Sequence, residues 1–168
     1  MAPADRALLR HFLAAIAYRT QKSLRDAPPE YPNFQAGGRT RTPVEILRHM
    51  TSVLGYARTF FVGGSYPFHP EPLATFAQEI DRFHALVADL GDLLAGDAPL
   101  QGISTLQLLQ GPLADVMTHV GQLALLRRLG GAPVAPENFI FADVRPDRLG
   151  PDQPLPARPD AEWPEGPR

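Results

Sequence analysis

Four stretches of this chain carry apolar residues at the three- and four-residue spacing of an amphipathic helix, and prolines or glycines end each stretch. This pattern constrains the fold more than any other feature of the sequence. Helices with one apolar face bury that face against one another, and four of them pack as a bundle. The sequence therefore predicts an all-α four-helix bundle.

The first two predicted helices are bounded by clear signals. The first runs from about Pro3 to Asp26 and ends before a proline-rich loop. The second begins at Thr42-Pro43-Val44-Glu45, where Thr42 and Glu45 can form a capping box and Pro43 suits the first helical position. A long connection, about Ala27 to Arg41, separates the two helices and can act as a crossover.

The last two predicted helices are defined by their apolar seams. The third has a seam from Leu73 to Leu94, and the fourth has one from Leu106 to Leu123. The fourth seam keeps its phase across Gly111-Pro112. This continuity predicts one helix bent at Pro112 rather than two helices.

The composition changes after Gly131, where about half of the 19 prolines fall and apolar anchors become few. We expect a bundle over residues 1–145 and an irregular proline-rich tail over residues 146–168. From Gly150 onward the chain is expected to be irregular or disordered, since too little apolar surface remains to offset the entropy of ordering.

Charge and cysteine content exclude several classes of function. The net charge of −2 and the lack of clustered cations argue against nucleic-acid binding. The absence of cysteine excludes disulfides, thiolate metal sites and a cysteine nucleophile. Arg10 and His11 interrupt the apolar segment Leu8 to Tyr18, which predicts an amphipathic helix rather than a signal peptide, and no stretch is apolar enough to span a membrane. We expect a cytoplasmic protein.

The fourth predicted helix carries a possible metal-binding pair. His119 follows Asp115 by four residues, so both side chains lie on one face of the helix, one turn apart. Apolar residues flank this polar stretch at both ends, which predicts an enclosed site. A buried carboxylate requires a partner, and a cation would be one. The alternative is a hydrogen bond between the two side chains inside the bundle, with no metal.

His49, on the flank of the second predicted helix, is the natural third ligand. Two imidazoles and a carboxylate suit zinc, nickel, iron or manganese, with open positions for water or substrate. Tyr56 and Gln122 are candidates to hydrogen-bond a ligand, although a satisfied bundle interior would explain them equally well. The other histidines, His11, His69 and His84, have no partner at ligand spacing and are expected to be solvated.

Two segments give the sequence a resemblance to a known family. The segment TPVEILRHM, from Thr42 to Met50, and the segment DVMTHVGQLALLRRLGGAPV, from Asp115 to Val134, resemble the DinB-like superfamily of damage-inducible and thiol-transferase-related proteins. In that family one histidine on the second helix precedes an H-x-x-x-H motif on the fourth. His49 and His119 match the first and last histidines, while Asp115 takes the place of the middle one.

The resemblance implies a metal site more strongly than a reaction. It implies a homodimer and a small-molecule substrate, for some members a low-molecular-weight thiol such as bacillithiol or mycothiol. The leading expectation is a metal-dependent thiol S-transferase or hydrolase, and the alternative is a non-catalytic dimeric bundle that binds a small ligand or a partner protein. The aspartate at position 115 has two interpretations. It can be the carboxylate ligand of a triad with two histidines, or it can mark a branch of the family that has lost its metal.

Overall fold

The structure, a computed structural model, describes residues 1–160 and residue 162, and in this part of the chain it is all-helical, without strands. The prediction of an all-α fold is confirmed there. Helix α1 spans Pro3–Leu24, α2 spans Pro43–Val62 and α3 spans Phe76–Ala95. Helix α4 is continuous and consists of a first turn, a π-helical turn and a long α-helical part: Thr105–Leu108, Leu109–Leu113 and Ala114–Leu129.

Capping boxes begin three of the four helices. The predicted box at the start of α2 is present: the Thr42 amide donates to the Glu45 carboxylate at 2.8 Å, and the Glu45 amide donates to the Thr42 hydroxyl. Thr75 with Gln78 and Ser104 with Gln107 form the same arrangement at α3 and α4. Helix α3 therefore begins after Leu73, which lies in the preceding loop.

The four helices pack in a ring in which each contacts two neighbours. Helix α2 packs against α3 and α4, and α1 packs against the same two helices. Consecutive helices α1 and α2 thus occupy opposite corners, and residues 25–42 join them. All four helices contribute fully buried side chains to one core: Leu9, Leu13, Ile16, Leu47, Met50, Leu54, Phe83, Val87, Leu90, Leu113, Val116 and Leu123.

The π-helical turn in α4 changes which face of that helix is buried. Leu113, Val116, Val120 and Leu123 are buried as the seam predicts, but Leu106 is 71% exposed and Leu108 is buried instead. A π-helical turn holds one more residue than an α-helical turn, so the helix before it is rotated relative to the helix after it. The prediction of one continuous helix is confirmed, and the prediction that Leu106 belongs to its buried seam is wrong.

The chain after α4 lies against the bundle as far as the structure describes it. Leu149 packs against the core beside Gly91, where a Cβ atom would overlap its side chain. Gln153 is buried, and its side-chain amide donates to the carbonyls of Arg148 and Gly150. Residues 150–160 are irregular in backbone, and the Arg25 guanidinium at the end of α1 donates to the carbonyls of Gln153 and Pro154, which holds this segment to the helix.

His84 contradicts the expectation that it is solvated. It lies on α3 at 2% exposure, its Nδ1 donates to the Leu149 carbonyl at 2.8 Å, and its Nε2 lies 3.3 Å from the Gln21 side-chain oxygen. The residues around it explain the difference, because the segment after α4 covers a helix face that the four-helix pattern alone leaves open. Burial lowers the pKa of the His84 imidazole, and the hydrogen bond to Leu149 opposes that effect.

We expect the His84→Gln variant to lose less stability on acidification than the unsubstituted protein. The folded state resists protonation of His84, so the unfolded chain binds the proton first as the pH falls through about 6.5. This histidine therefore contributes stability that is complete above that pH and is lost below it, by up to about 1.4 kcal/mol for each pH unit. Denaturant titrations of both proteins at several pH values between about 8 and 5 measure the effect. Parallel pH dependences would contradict the assignment.

Candidate metal centre

The three residues predicted to share an ion converge between α2 and α4. Each of His49, Asp115 and His119 offers one donor atom, and these atoms all lie within 4.8 Å of one another. The two imidazole rings meet edge to face with centroids 4.7 Å apart, and His49 Nε2 is 3.8 Å from Asp115 Oδ2. The helical spacing brings the pair on α4 together, and the packing of α2 against α4 adds His49.

A backbone hydrogen bond orients the His119 ring. Its Nδ1 lies 2.8 Å from the carbonyl oxygen of Asp115, and since a carbonyl only accepts, Nδ1 carries the proton. The neutral ring then has its lone pair on Nε2. Metal-binding histidines commonly donate from the second ring nitrogen in this way, which fixes both the tautomer and the ring orientation.

His49 is biased towards its neutral form. Burial is the main cause that lowers the pKa of its imidazole, and the nearby Arg41 guanidinium and His119 add to it, while Asp115 acts in the opposite direction. A metal ion binds the neutral imidazole, so this bias keeps a lone pair available at neutral pH.

The three donor atoms fit a transition-metal ion if they move slightly closer together. Zinc bonds of 2.0–2.1 Å in tetrahedral geometry place donors about 3.3 Å apart, which is closer than the widest separation here. The Asp115 side chain is 45% exposed and can rotate, whereas the His49 and His119 side chains are 18% and 10% exposed. The prediction of an enclosed polar stretch is therefore wrong for Asp115, whose side chain remains open to solvent among the residues that the structure describes.

An apolar cavity of about 600 Å³ opens on one side of the three residues. The π-helical turn of α4 forms one wall, through Gly111 and Pro112, and α2 forms another, through Val53 and Tyr56. His49 and Asp115 line the same cavity. An apolar group bound there would lie next to the donor atoms.

A polar cavity of about 380 Å³ opens on the other side of His49. Arg41, Glu45 and Arg48 line it from the start of α2, and His69 and Glu71 line it from the loop between α2 and α3. His49 and Phe68 line both cavities, so they form the boundary between them.

The loop that carries Phe68 and His69 is anchored to α2. The Ser52 hydroxyl lies 2.8 Å and 3.0 Å from the carbonyl oxygens of Pro67 and Phe68, and the Tyr66 ring packs where Gly55 has no side chain. The Phe68 ring consequently meets the His49 ring, with centroids 6.4 Å apart. The loop therefore positions a fixed wall of the site.

Buried Glu79 on α3 binds Arg48, which lines the polar cavity. Burial opposes ionisation of its carboxyl, but the Leu73 amide and the guanidinium groups of Arg48 and Arg82 outweigh burial and leave its pKa below the ordinary value. The Arg48 Nε and Nη2 atoms lie 2.9 and 2.8 Å from Glu79 Oε1. Arg48 is thus committed to an internal ion pair.

The two predicted ligand-binding residues differ in their placement. Tyr56 lines the apolar cavity with 56% of its surface exposed. Gln122 is exposed on α4, apart from the residues that line the two cavities. His11 and His69 are exposed as expected.

The sequence did not identify Phe68, Arg41 or Arg48 as residues of the site. Arg41 and Arg48 lie near His49 along the chain, and Phe68 lies in a proline-rich loop, but nothing else in the sequence marks them as functional.

None of the helices in residues 1–160 combines the length and apolarity needed to cross a membrane. Comparisons with known proteins gave no relative: no family model matches the chain, and neither a curated protein nor a solved structure matches it.

Proposed function

We propose that this protein is a metal-dependent enzyme, a thiol S-transferase or a hydrolase, whose metal ion is held by His49, Asp115 and His119. The observation that carries the proposal is the convergence of these three donors, with the His119 lone pair directed by the hydrogen bond from Nδ1 to the Asp115 carbonyl. Zinc, nickel, iron and manganese all accept such a set.

A bound ion would supply Lewis acidity, which increases the thiolate fraction of a bound thiol or the hydroxide fraction of a bound water. The chain would contribute the metal ligands and the surface that binds the substrate. His49, Asp115 and His119 would hold the ion, and Val53, Tyr56 and Pro112 can bind an apolar group of the substrate in the adjacent cavity. The chain has no cysteine, so in the transferase the nucleophilic thiol comes from the cosubstrate.

We place the protein in the DinB-like superfamily on the sequence resemblance and on its four-helix fold. In this proposal residues 1–145 form the family unit, the connection between α1 and α2 is its crossover, and residues 146–168 form the tail. Asp115 replaces the middle histidine of the family motif as a carboxylate ligand. The resemblance also suggests a homodimer, and the sequence pattern favours a cytoplasmic location.

The test is the metal content of protein purified without chelators or an affinity metal. We expect close to one transition-metal ion per chain by elemental analysis, and rebinding of one equivalent after removal by a chelator. Protein that neither retains nor rebinds a transition metal would contradict the enzyme proposal and favour the alternative.

That alternative is a non-catalytic dimeric bundle that binds a small ligand or a partner protein. It is favoured by the outer face of α4, where Leu125 and Leu129 are 50% and 56% exposed. Light scattering after size exclusion gives the oligomeric state, and a metal-free dimer is the outcome that this alternative expects.

A further inference from the structure

The two cavities beside His49 differ in chemistry, and that difference bears on the charge of the substrate. The apolar cavity is lined by groups such as Val53, Tyr56 and Pro112, while the polar cavity holds two arginines and two glutamates. Formal charges alone would make the polar cavity neutral. The contacts of each charged group decide what a ligand would meet there.

Two of those four charged side chains already make contacts within the protein. Arg48 is paired with buried Glu79, and Glu45 accepts hydrogen bonds from the Thr42 amide and hydroxyl at the start of α2. Glu71 lines the cavity from the loop; its backbone carbonyl accepts from Arg82, while its carboxylate has no ion-pair partner among the described residues. Among the described residues, Arg41 has no hydrogen-bond or ion-pair partner, so its guanidinium is available to a ligand.

Arg41 is also within electrostatic reach of the metal-binding residues. It lines the polar cavity together with His49, one of the three residues proposed to hold the ion. A divalent ion held by two neutral imidazoles and one carboxylate would keep a net positive charge. Arg41 is exposed and adds a second cation on the same cavity, which favours an anion that can approach both, since opposite charges attract.

We infer that the substrate bound at the metal centre carries an anionic group, a carboxylate or a group of similar charge, and that Arg41 binds it in the polar cavity. This inference rests on the proposed metal site. Arg41 has the role of a binding residue: its five N–H donors match the two oxygens of a carboxylate, whereas a lysine would offer only a point charge.

The experiment uses full-length protein loaded with cobalt(II), whose bond to a thiolate produces a near-ultraviolet absorption band. Three thiols serve as probes, each with two methylene groups between the sulfur and the polar group: 3-mercaptopropionate is anionic, mercaptoethanol is neutral and cysteamine is cationic. Their dissociation constants are measured for the unsubstituted protein, for Arg41→Gln and for Arg39→Gln. Arg39 is exposed two residues away and lies outside the polar cavity, so its variant removes the same charge without removing the binding group.

We expect the preference for the anionic over the neutral thiol to fall by roughly tenfold in Arg41→Gln and to persist in Arg39→Gln, because a hydrogen-bonded charge pair is lost only in the first. The affinity for mercaptoethanol should stay the same in all three proteins, which also shows that the metal site is intact. If the preference for the anionic thiol were the same in the unsubstituted protein and in Arg41→Gln, the inference would be overturned and the proposed metal site would stand. Failure of the unsubstituted protein to bind cobalt would overturn the metal site and the inference with it.

Discussion

Replacing His49 by alanine is expected to abolish uptake of the metal ion while the helical fold persists. His49 is the only one of the three donors on α2, and the two that remain belong to a single face of α4. Loss of a residue that merely hydrogen-bonds a ligand already weakens metal binding by about 10–100-fold, and loss of a ligand should cost more. Calorimetric titration with zinc, together with circular dichroism, measures both outcomes.

His11→Ala is the matched control for this experiment. His11 is an exposed histidine on α1, outside the three-residue group, so its removal should leave metal uptake unchanged. His84→Ala is unsuitable as a control because that histidine is buried and hydrogen-bonded. Unchanged zinc affinity in His49→Ala would show that His49 is no ligand and that Asp115 and His119 form a polar contact without an ion.

Leu113→Ala is expected to lower the free energy of unfolding by about 2–5 kcal/mol. Leu113 is fully buried at the end of the π-helical turn, and truncating it removes apolar burial and leaves a cavity in a core built from all four helices. Urea denaturation followed by circular dichroism measures the loss. An effect near that of a surface substitution would contradict the inward orientation of this residue.

Leu106→Ala tests the rotation that the π-helical turn introduces into α4. The substitution is chemically the same and lies in the same helix, but Leu106 is 71% exposed. We expect a change within about 0.5 kcal/mol. A loss as large as that of Leu113→Ala would mean that the first turn of α4 keeps the phase of the rest, as the sequence seam alone suggests.

The helices could be predicted from the sequence because their signals are local. The capping box at Thr42 and the apolar seams depend only on residues a few positions apart, and the structure agrees with both over most of their length. The seam of the third helix includes Leu73, which lies before α3, because the capping residue Thr75 stands within a run of apolar residues. The exposure of Leu106 could not be predicted, because the seam continues in phase through a turn whose hydrogen bonding is not α-helical.

The candidate site was predictable only in part, for a related physical reason. Asp115 and His119 are neighbours by helical spacing, so their pairing follows from the sequence, and His49 followed from its position at the edge of an apolar face. Burial depends on which elements cover a face. The pattern of four helices does not reveal that Asp115 lies open to solvent, or that the segment around Leu149 covers His84.

The carbonyl of Asp115 accepts several hydrogen bonds at once. In a regular α-helix the carbonyl of one residue accepts from the amide four positions later, so this oxygen closes the turn to His119, and it also accepts from the His119 ring and the Thr118 hydroxyl. Opening that single turn, which directly follows the π-helical segment, would release the ligand geometry together with the backbone hydrogen bond. Retention of an ion would therefore be linked to a local opening equilibrium, the kind that amide hydrogen exchange measures, and much less to the unfolding of the whole bundle.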